Sequence, residues 1–474
     1  MKESNTLSAS QIGLMGLGTM GSALALNIAE KGYDIAVWNR TTSKTTDFVV
    51  EAGDLASRIT PCESLEAFVN AIERPRTIIL MVPAGAPVDQ QISDLEPYLA
   101  PDDLIIDAGN ANFNDTTRRM RDVKFPFLGV GVSGGEEGAR HGPSIMVGGA
   151  KENWERVAPI LKAIAAKHEG EPCADWMGEA GAGHFVKTVH NGIEYADMQL
   201  IAEVYGIMRD GLGLSASKIG DVFDRWNEGP LQSYLIEISG KVAHTQDAAS
   251  GGPLLDVIED AAGQKGTGRW TAIEAQHLAS IVPVIEAAVA ARNMSARREQ
   301  RRDLQDVFGA APQHVDEGAM PLDTLEAALI CGKILCYSQG FDMIATAFAQ
   351  NGWDDNLPGI AKVWREGCII RSGMLDDMAT ALAEELGRSL MASPLFADRL
   401  KRTEGALRHV VVTAMAKGLP IPALSSALAY FDTMRTARGT ANMIQGQRDF
   451  FGLHGFKRLD DGKANQHGPW ASNG

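Results

Sequence analysis

Between His184 and Asp197 the sequence gathers a lysine, a histidine, an asparagine, a glutamate and a tyrosine at helical spacing. On a wheel of about 100° per residue, Lys187, Asn191 and Glu194 fall within about 60° of one another, with His190 and Tyr195 flanking them. Phe185, Val189, Ile193 and Ala196 fall on the opposite side and are expected to face a core. A lysine and a glutamate two turns apart suit a reaction that needs two proton carriers. The lysine becomes a base when burial or neighbouring positive charge lowers its pKa; the glutamate becomes an acid when its pKa is raised. Gly192, a costly residue inside a helix, marks this as more than an ordinary solvent-facing surface.

Three glycine clusters surround that chemistry. Gly16-Leu17-Gly18-Thr19-Met20-Gly21 follows a short apolar run and opens a helical one. In that setting the first glycine permits a tight turn, the second lets backbone approach a pyrophosphate, and the third packs helix against strand. The phosphates then meet free N–H groups and the positive end of the helix dipole. About 20 residues further on, NAD enzymes place an acid on the ribose 2′-hydroxyl. This chain has Asn39-Arg40-Thr41 there, and a guanidinium suits a 2′-phosphate, so NADP is the expected cofactor. The second cluster, Gly131 to Gly138, contains Ser133, Gly134 and Gly135, and its consecutive N–H groups suit a carboxylate. The third, Gly263 to Trp270, carries Lys265; with Arg292 and the C-terminal Arg448 and His454 it could complete a phosphate clamp.

The elements that must hold these residues read in two blocks. Strand candidates at Gln11 to Met15, Asp34 to Trp38, Thr77 to Val82, Leu104 to Asp107 and Phe127 to Val132 alternate with helical stretches. That pattern predicts an α/β, Rossmann-type domain over residues 1–180, with a mainly parallel sheet covered on both faces. From 181 to 444 long helical segments dominate, predicting an all-α domain: Gly183 to Arg209, Leu231 to Val242, Thr271 to Arg302, Leu322 to Gln350 and Met374 to Gly387. Trp226-Asn227-Glu228-Gly229 and Trp364-Arg365-Glu366-Gly367 echo each other and suggest two related helical units. Residues 445–474 show no helical period and read as an extended tail.

Composition sets the outer limits. At 474 residues the chain is long enough for two or three domains with proper cores. With 44 Lys+Arg against 60 Asp+Glu the formal charge is −16, which argues against nucleic acid or anionic membrane as partners. Five cysteines without a C-x-x-C pair predict buried free thiols, and no metal site is expected. Residues Met1 to Ser10 lack a signal-peptide core and no run of 18 apolar residues occurs, so a cytoplasmic chain is expected.

Several further motifs make the chain resemble the decarboxylating 6-phosphogluconate dehydrogenase family over essentially its whole length. They are Ile105 to Asn110, Gly131 to Arg140, Gly181 to Tyr195, Gln264 to Trp270, Trp364 to Arg371 and Ala441 to His454. The resemblance implies oxidative decarboxylation of 6-phosphogluconate to ribulose 5-phosphate and carbon dioxide, with NADP as hydride acceptor. It casts Lys187 as the base that takes the 3-hydroxyl proton and then, protonated, polarises the ketone while carbon dioxide leaves without a metal. Glu194 then protonates C1 of the enediol. Asn110, Ser133, Gly134, Gly135, His190 and Asn191 match residues holding the substrate carboxylate and hydroxyls. Tyr195, Lys265, Arg292, Arg448 and His454 match its phosphate end, the last two coming from a neighbouring subunit, so a homodimer is implied. Cofactor contacts fall to Gly16, Leu17, Gly18, Thr19, Met20, Gly21, Asn39, Arg40, Thr41, Val82, Pro83, Ala84 and Asn110.

Four positions depart from the family pattern: Gly18 for Ala, Pro83 for Lys, His141 for Tyr and Val147 for Pro. Two other readings compete. A smaller β-hydroxyacid dehydrogenase would share the fingerprint and lysine but lack the duplicated helices and basic tail. An inactive NADP-binding sensor or scaffold would not need both Lys187 and Glu194.

Overall fold

A computed structural model describes residues 9–354, 356–384 and 387–470. Most of the N-terminal stretch Met1 to Ser10, and residues 471–474 of the expected tail, lie outside the described residues.

The first block is one eight-stranded sheet. Its strands are β1 (Ile12–Met15), β2 (Ile35–Trp38), β3 (Ile59–Cys62), β4 (Thr77–Leu80), β5 (Leu104–Asp107), β6 (Phe127–Ser133), β7 (Ser144–Gly149) and, after the short hairpin of β8 (Lys167–His168) and β9 (Glu171–Pro172), β10 (Ala174–Gly178). The order is β10-β7-β6-β5-β4-β1-β2-β3, parallel throughout except where β6 meets β7 antiparallel. Continuous apolar strands make sense here because both faces are covered: Ile79 and Ile106 enter one core, Ile78, Leu80 and Ile105 the other. Chain order reverses between β1 and β4, so the loops after those strands open a crevice at their C-terminal ends, where open α/β sheets bind ligands.

The second block is helical and is tied to the sheet by the 25-residue helix Ala182–Gly206, which packs on β6 and β7. Its core is a single cluster that also takes in Phe113, Met146 and Met177 from the first block. The element order repeats. A long helix (Ala182–Gly206), a shorter one ending at Trp226-Asn227 (Ala216–Asn227), a loop and a third helix (Tyr234–His244) are mirrored by Leu322–Asn351, Leu357–Val363 capped by Trp364, a loop and Met374–Glu384. The segments after the two tryptophan loops touch through a Ser233–Ser372 bridge. This supports two related helical units.

Two expectations need correction. Thr271 to Arg302 is not one helix but parts of three, Thr267–His277, Pro283–Ser295 and Arg298–Phe308. The first break coincides with a left-handed Ala279 and with Pro283 starting the next helix. Nor is the C-terminal segment an extended tail beginning at 445: a helix runs Ala441–Gly452 across that boundary, followed by a Phe456–Gln466 bridge. Its apolar residues Met443, Ile444, Phe450 and Phe451 lie on one face and are 59–72% exposed, and the expected boundary at 445 cut that face in two. Among the described residues no helix is long and apolar enough to cross a membrane, and all five cysteines are free and buried.

Candidate active site

Lys187 lies in the second turn of the first-unit long helix and is buried, the residue only 7% exposed. Nζ stands 2.7 Å from Asn191 Oδ1, 3.0 Å from Ser133 Oγ and 3.2 Å from His190 Nδ1. His190 is fully buried, with Nε2 3.3 Å from Ser133 Oγ and Nδ1 3.1 Å from Asn191 Oδ1. The Asn191 carbonyl can only accept, which assigns the imidazole proton to Nδ1 and leaves Nε2 to accept from Ser133. The amine thus sits in a cage of neutral polar groups. Burial lowers the Lys187 pKa against the opposing pull of Glu194 and Cys368. Burial, and then Lys187 itself, hold His190 well below the usual imidazole range, so it stays uncharged. Glu194 is shifted the other way: burial raises its pKa, outweighing Lys187 and Arg292. Both shifts run in the direction that a base and an acid need.

The surrounding elements explain why this face is buried rather than solvated. The helix Thr267–His277 crosses it at Gly192, where an added Cβ would stand 2.5 Å from Thr271 Cγ2, and Thr271 Oγ1 donates to the Thr188 carbonyl at 2.6 Å. The Phe185, Val189, Ile193 and Ala196 side is fully buried, as its spacing requires. Below the amine, Trp364 meets His190 edge-on at 5.7 Å and is itself fully buried. The end of β6 presents Ser133, and Gly134 turns the chain at φ 113° with the Gly367 carbonyl 2.5 Å from where a Cβ would sit. Both tryptophan-loop glycine and serine-loop glycine are therefore required for one tight corner. Asn110 is presented by a turn in which Asp107 Oδ1 accepts from the Gly109 N–H at 3.1 Å, while Arg119 pairs with Asp107 at 3.3 Å.

These groups line one cleft of about 540 Å³, shared by Asn110, Ser133, Gly134, Gly135, Lys187, Asn191, Glu194, Tyr195, Lys265 and Arg292. The Arg292 guanidinium lies 3.4 Å above the Tyr195 ring, forming a cationic end opposite the serine loop. His190 supports the cleft from beneath. Arg448 and His454 are not brought to it: both are exposed on the C-terminal helix and the turn after it.

A second cleft, about 520 Å³, opens over the crevice between β1 and β4 and is lined by Gly16, Gly18, Asn39, Arg40, Val82 and Pro83 among others. Asn39 Oδ1 accepts from the Leu17 N–H at 3.1 Å, joining the fingerprint loop to the end of β2, and Asn39 donates to the Thr41 carbonyl. Leu17, Thr19, Gly21, Thr41 and Ala84 belong to the same loops without lining the cleft; Met20 and Asn110 line the Lys187 cleft instead. Lys44, four residues after Arg40, also lines the cleft over β1 and β4, and sequence reading missed it because nothing in the motif points one turn into the following helix. A glycine-lined crevice with two cations at one end fits a dinucleotide carrying an extra phosphate.

Comparison with known proteins covers nearly the whole chain. Residues 11–178 match the NAD binding domain of 6-phosphogluconate dehydrogenase, and residues 183–470 match that enzyme's C-terminal domain. A decarboxylating, NADP(+)-dependent 6-phosphogluconate dehydrogenase of Bacillus subtilis is 46% identical, covering 96% of this chain and 98% of its own. A decarboxylating relative from Schizosaccharomyces pombe is 45% identical over 95% of this chain and 92% of its own. The structure of Plasmodium falciparum 6-phosphogluconate dehydrogenase, described in its apo form and in complex with NADP+ and with 6-phosphogluconate, superposes with a TM-score of 0.93. It is 38% identical, covering 97% of this chain and 100% of that one.

Proposed function

The chain belongs to the 6-phosphogluconate dehydrogenase family, and from that premise we propose how its own residues oxidatively decarboxylate 6-phosphogluconate. The reaction yields ribulose 5-phosphate and carbon dioxide, and NADP, when bound, supplies the hydride acceptor. The observation that carries the account is the caged, desolvated amine of Lys187 sharing a cleft with the desolvated carboxyl of Glu194.

Lys187, whose ammonium form is disfavoured by burial, takes the proton from the substrate 3-hydroxyl. Asn191 and Ser133 accept from two of its hydrogens and hold its orientation; the third position receives the substrate proton. Now an ammonium, Lys187 donates to the 3-keto oxygen, stabilising the negative charge that builds there as the β-keto acid loses carbon dioxide. Glu194, whose carboxylate form is disfavoured by burial, delivers a proton to C1 of the enediol. Ser133, Gly134, Gly135 and Asn110 hold the carboxylate and hydroxyls, with His190 bracing Lys187. Tyr195, Lys265 and Arg292 take the phosphate.

Arg448 and His454 complete that phosphate end from the C-terminal segment of a second copy in a homodimer. Support comes from that segment's exposed apolar side chains, Met443, Ile444, Phe450, Phe451 and Leu453, a patch that water-facing helices rarely carry. Assignment to the cytoplasm rests on composition and the absence of a membrane-crossing helix among the described residues.

Running the reaction in D2O tests the division of labour. Wild type should place one deuterium at C1 of ribulose 5-phosphate on a single face. Glu194→Gln should form the product about 10²–10⁴-fold more slowly, with the deuterium scrambled between faces. Wild-type rate and single-face labelling in Glu194→Gln would remove Glu194 from the proton path.

A further inference from the structure

Asp449 is fully buried on a helix whose other residues are all exposed or half-buried. Its Oδ1 accepts from the Gly455 N–H at 2.9 Å and from His467 Nδ1 at 2.7 Å. Its Oδ2 accepts from the Gly468 N–H at 2.9 Å and from Trp470 Nε1 at 2.8 Å. One carboxylate thus gathers donors lying 6, 18, 19 and 21 residues further along the chain. Burial opposes its ionisation, but the four donors outweigh that and hold the carboxyl well below its usual range. A buried carboxylate lacking such donors would be costly, so the folded segment and the ionised Asp449 depend on each other.

The contacts around this hub shape the residues on either side of it. Phe456 and Gln466 pair back to back, and Arg458 N–H donates to the Lys463 carbonyl, closing the intervening chain into a hairpin. The Phe450 ring packs on Trp470 at 5.8 Å. Arg448, immediately before Asp449, donates to Gln445 Oε1 at 3.1 Å, and Gln445 in turn donates to the Gly455 carbonyl. On the other side the helix ends at a left-handed Leu453. The His454 ring folds back over Gly452, where a Cβ would meet Nε2 at 2.7 Å, and lies 5.9 Å from Phe451. Arg448 and His454 therefore flank a closed, hydrogen-bonded unit even in a single chain. Ordering a segment before it docks removes part of the entropy that docking would otherwise cost.

We propose that Asp449 is a positioning residue: it folds the C-terminal segment on itself so that Arg448 and His454 reach the substrate phosphate as a preformed pair. This rests on the reading that the segment serves a neighbouring copy's cleft, and the test separates the two claims. Asp449→Asn keeps the shape but turns an acceptor into an amide facing N–H donors. In the full-length enzyme it should raise KM for 6-phosphogluconate at least about tenfold with kcat within about threefold, the pattern of lost substrate binding. NADP affinity, read by quenching of protein fluorescence, should not change. Hydrogen exchange at the Gly455 and Gly468 amides should accelerate at least about tenfold, because their acceptor has been weakened. Trp470→Phe deletes a single donor and leaves the carboxylate, so it should shift KM the same way by a smaller factor. Arg448→Ala should raise KM at least as much as Asp449→Asn. If Arg448→Ala raises KM while Asp449→Asn and Trp470→Phe leave it at the wild-type value, the positioning role is overturned. If Arg448→Ala itself leaves KM unchanged, the shared-site reading falls and takes this proposal with it.

Discussion

Burial moves Lys187 and Glu194 in opposite directions, lowering the pKa of one and raising that of the other, the shifts that the proposed base and acid need. The helix spacing made the pair legible in the sequence, because residues seven apart must share a face. That the face is covered was not legible: coverage comes from Thr271, Trp364 and the Ser133 corner, each distant in sequence. Cofactor choice belongs to this scale too. Arg40 and Lys44 stand at one end of the dinucleotide cleft with no acid from the fingerprint strand between them. Arg40→Asp exchanges a charge-assisted contact for repulsion and should cost NADP use roughly 2–4 kcal/mol, reversing the preference toward NAD. The ratio of kcat/KM for the two cofactors measures it; an unchanged ratio would dissociate this loop from the 2′-phosphate.

Among the elements, the two long helices carry the molecule, and polar contacts buried between them and their neighbours fix their register. Lys333 on one meets Asp197 on the other at 2.6 Å with both side chains fully buried. Further along, Glu203 accepts from the Ala423 and Leu424 N–H groups at 2.7 and 2.8 Å, capping the helix Pro422–Met434 from the side. Burial pushes its carboxyl up to about 7, against the pull of those donors. Because the folded value lies above the ordinary one, the group's contribution is full below about pH 4.5 and is lost as pH rises through about 7. Glu203→Ala should therefore cost roughly 1–3 kcal/mol, with the deficit shrinking from pH 4.5 to 7. Denaturant melts of both proteins across that range would show it, and a deficit that grows with pH would contradict the assignment. The strands β1, β2, β4, β5 and β6 were legible as unbroken apolar runs, whereas β3 contains Pro61 and β7 ends in two glycines, so neither announces itself. The duplicated units were visible only through their tryptophan loops, since packing preserves helix order and not side-chain identity.

For the whole molecule, the cleft of a single chain holds both proposed proton carriers, Lys187 and Glu194, but not Arg448 or His454, two of its expected phosphate ligands. The helix Ala441–Gly452 straddles residue 445, so a segment starting there keeps only Phe450 and Phe451 of the apolar face that Met443 and Ile444 complete, and that face is turned outward. If that face docks on a second copy, inactive Lys187→Ala subunits and high-KM Arg448→Ala subunits, assayed at a 6-phosphogluconate concentration too low for Arg448→Ala alone to turn over, should complement each other. Subunit exchange then places both lesions in one site and leaves the other intact, so activity returns toward one site in each mixed dimer. No recovery despite proven mixed dimers would mean the segment serves its own chain.

The central claim, that the Lys187 amine drives both the oxidation and the loss of carbon dioxide, is tested most directly by following NADPH and carbon dioxide together with 6-phosphogluconate as sole substrate. Wild type should release the two in equal amounts. Lys187→Ala should still bind NADP, yet release neither product at more than about 10⁻² of the wild-type rate. Equimolar NADPH and carbon dioxide from Lys187→Ala at near wild-type turnover would contradict the account.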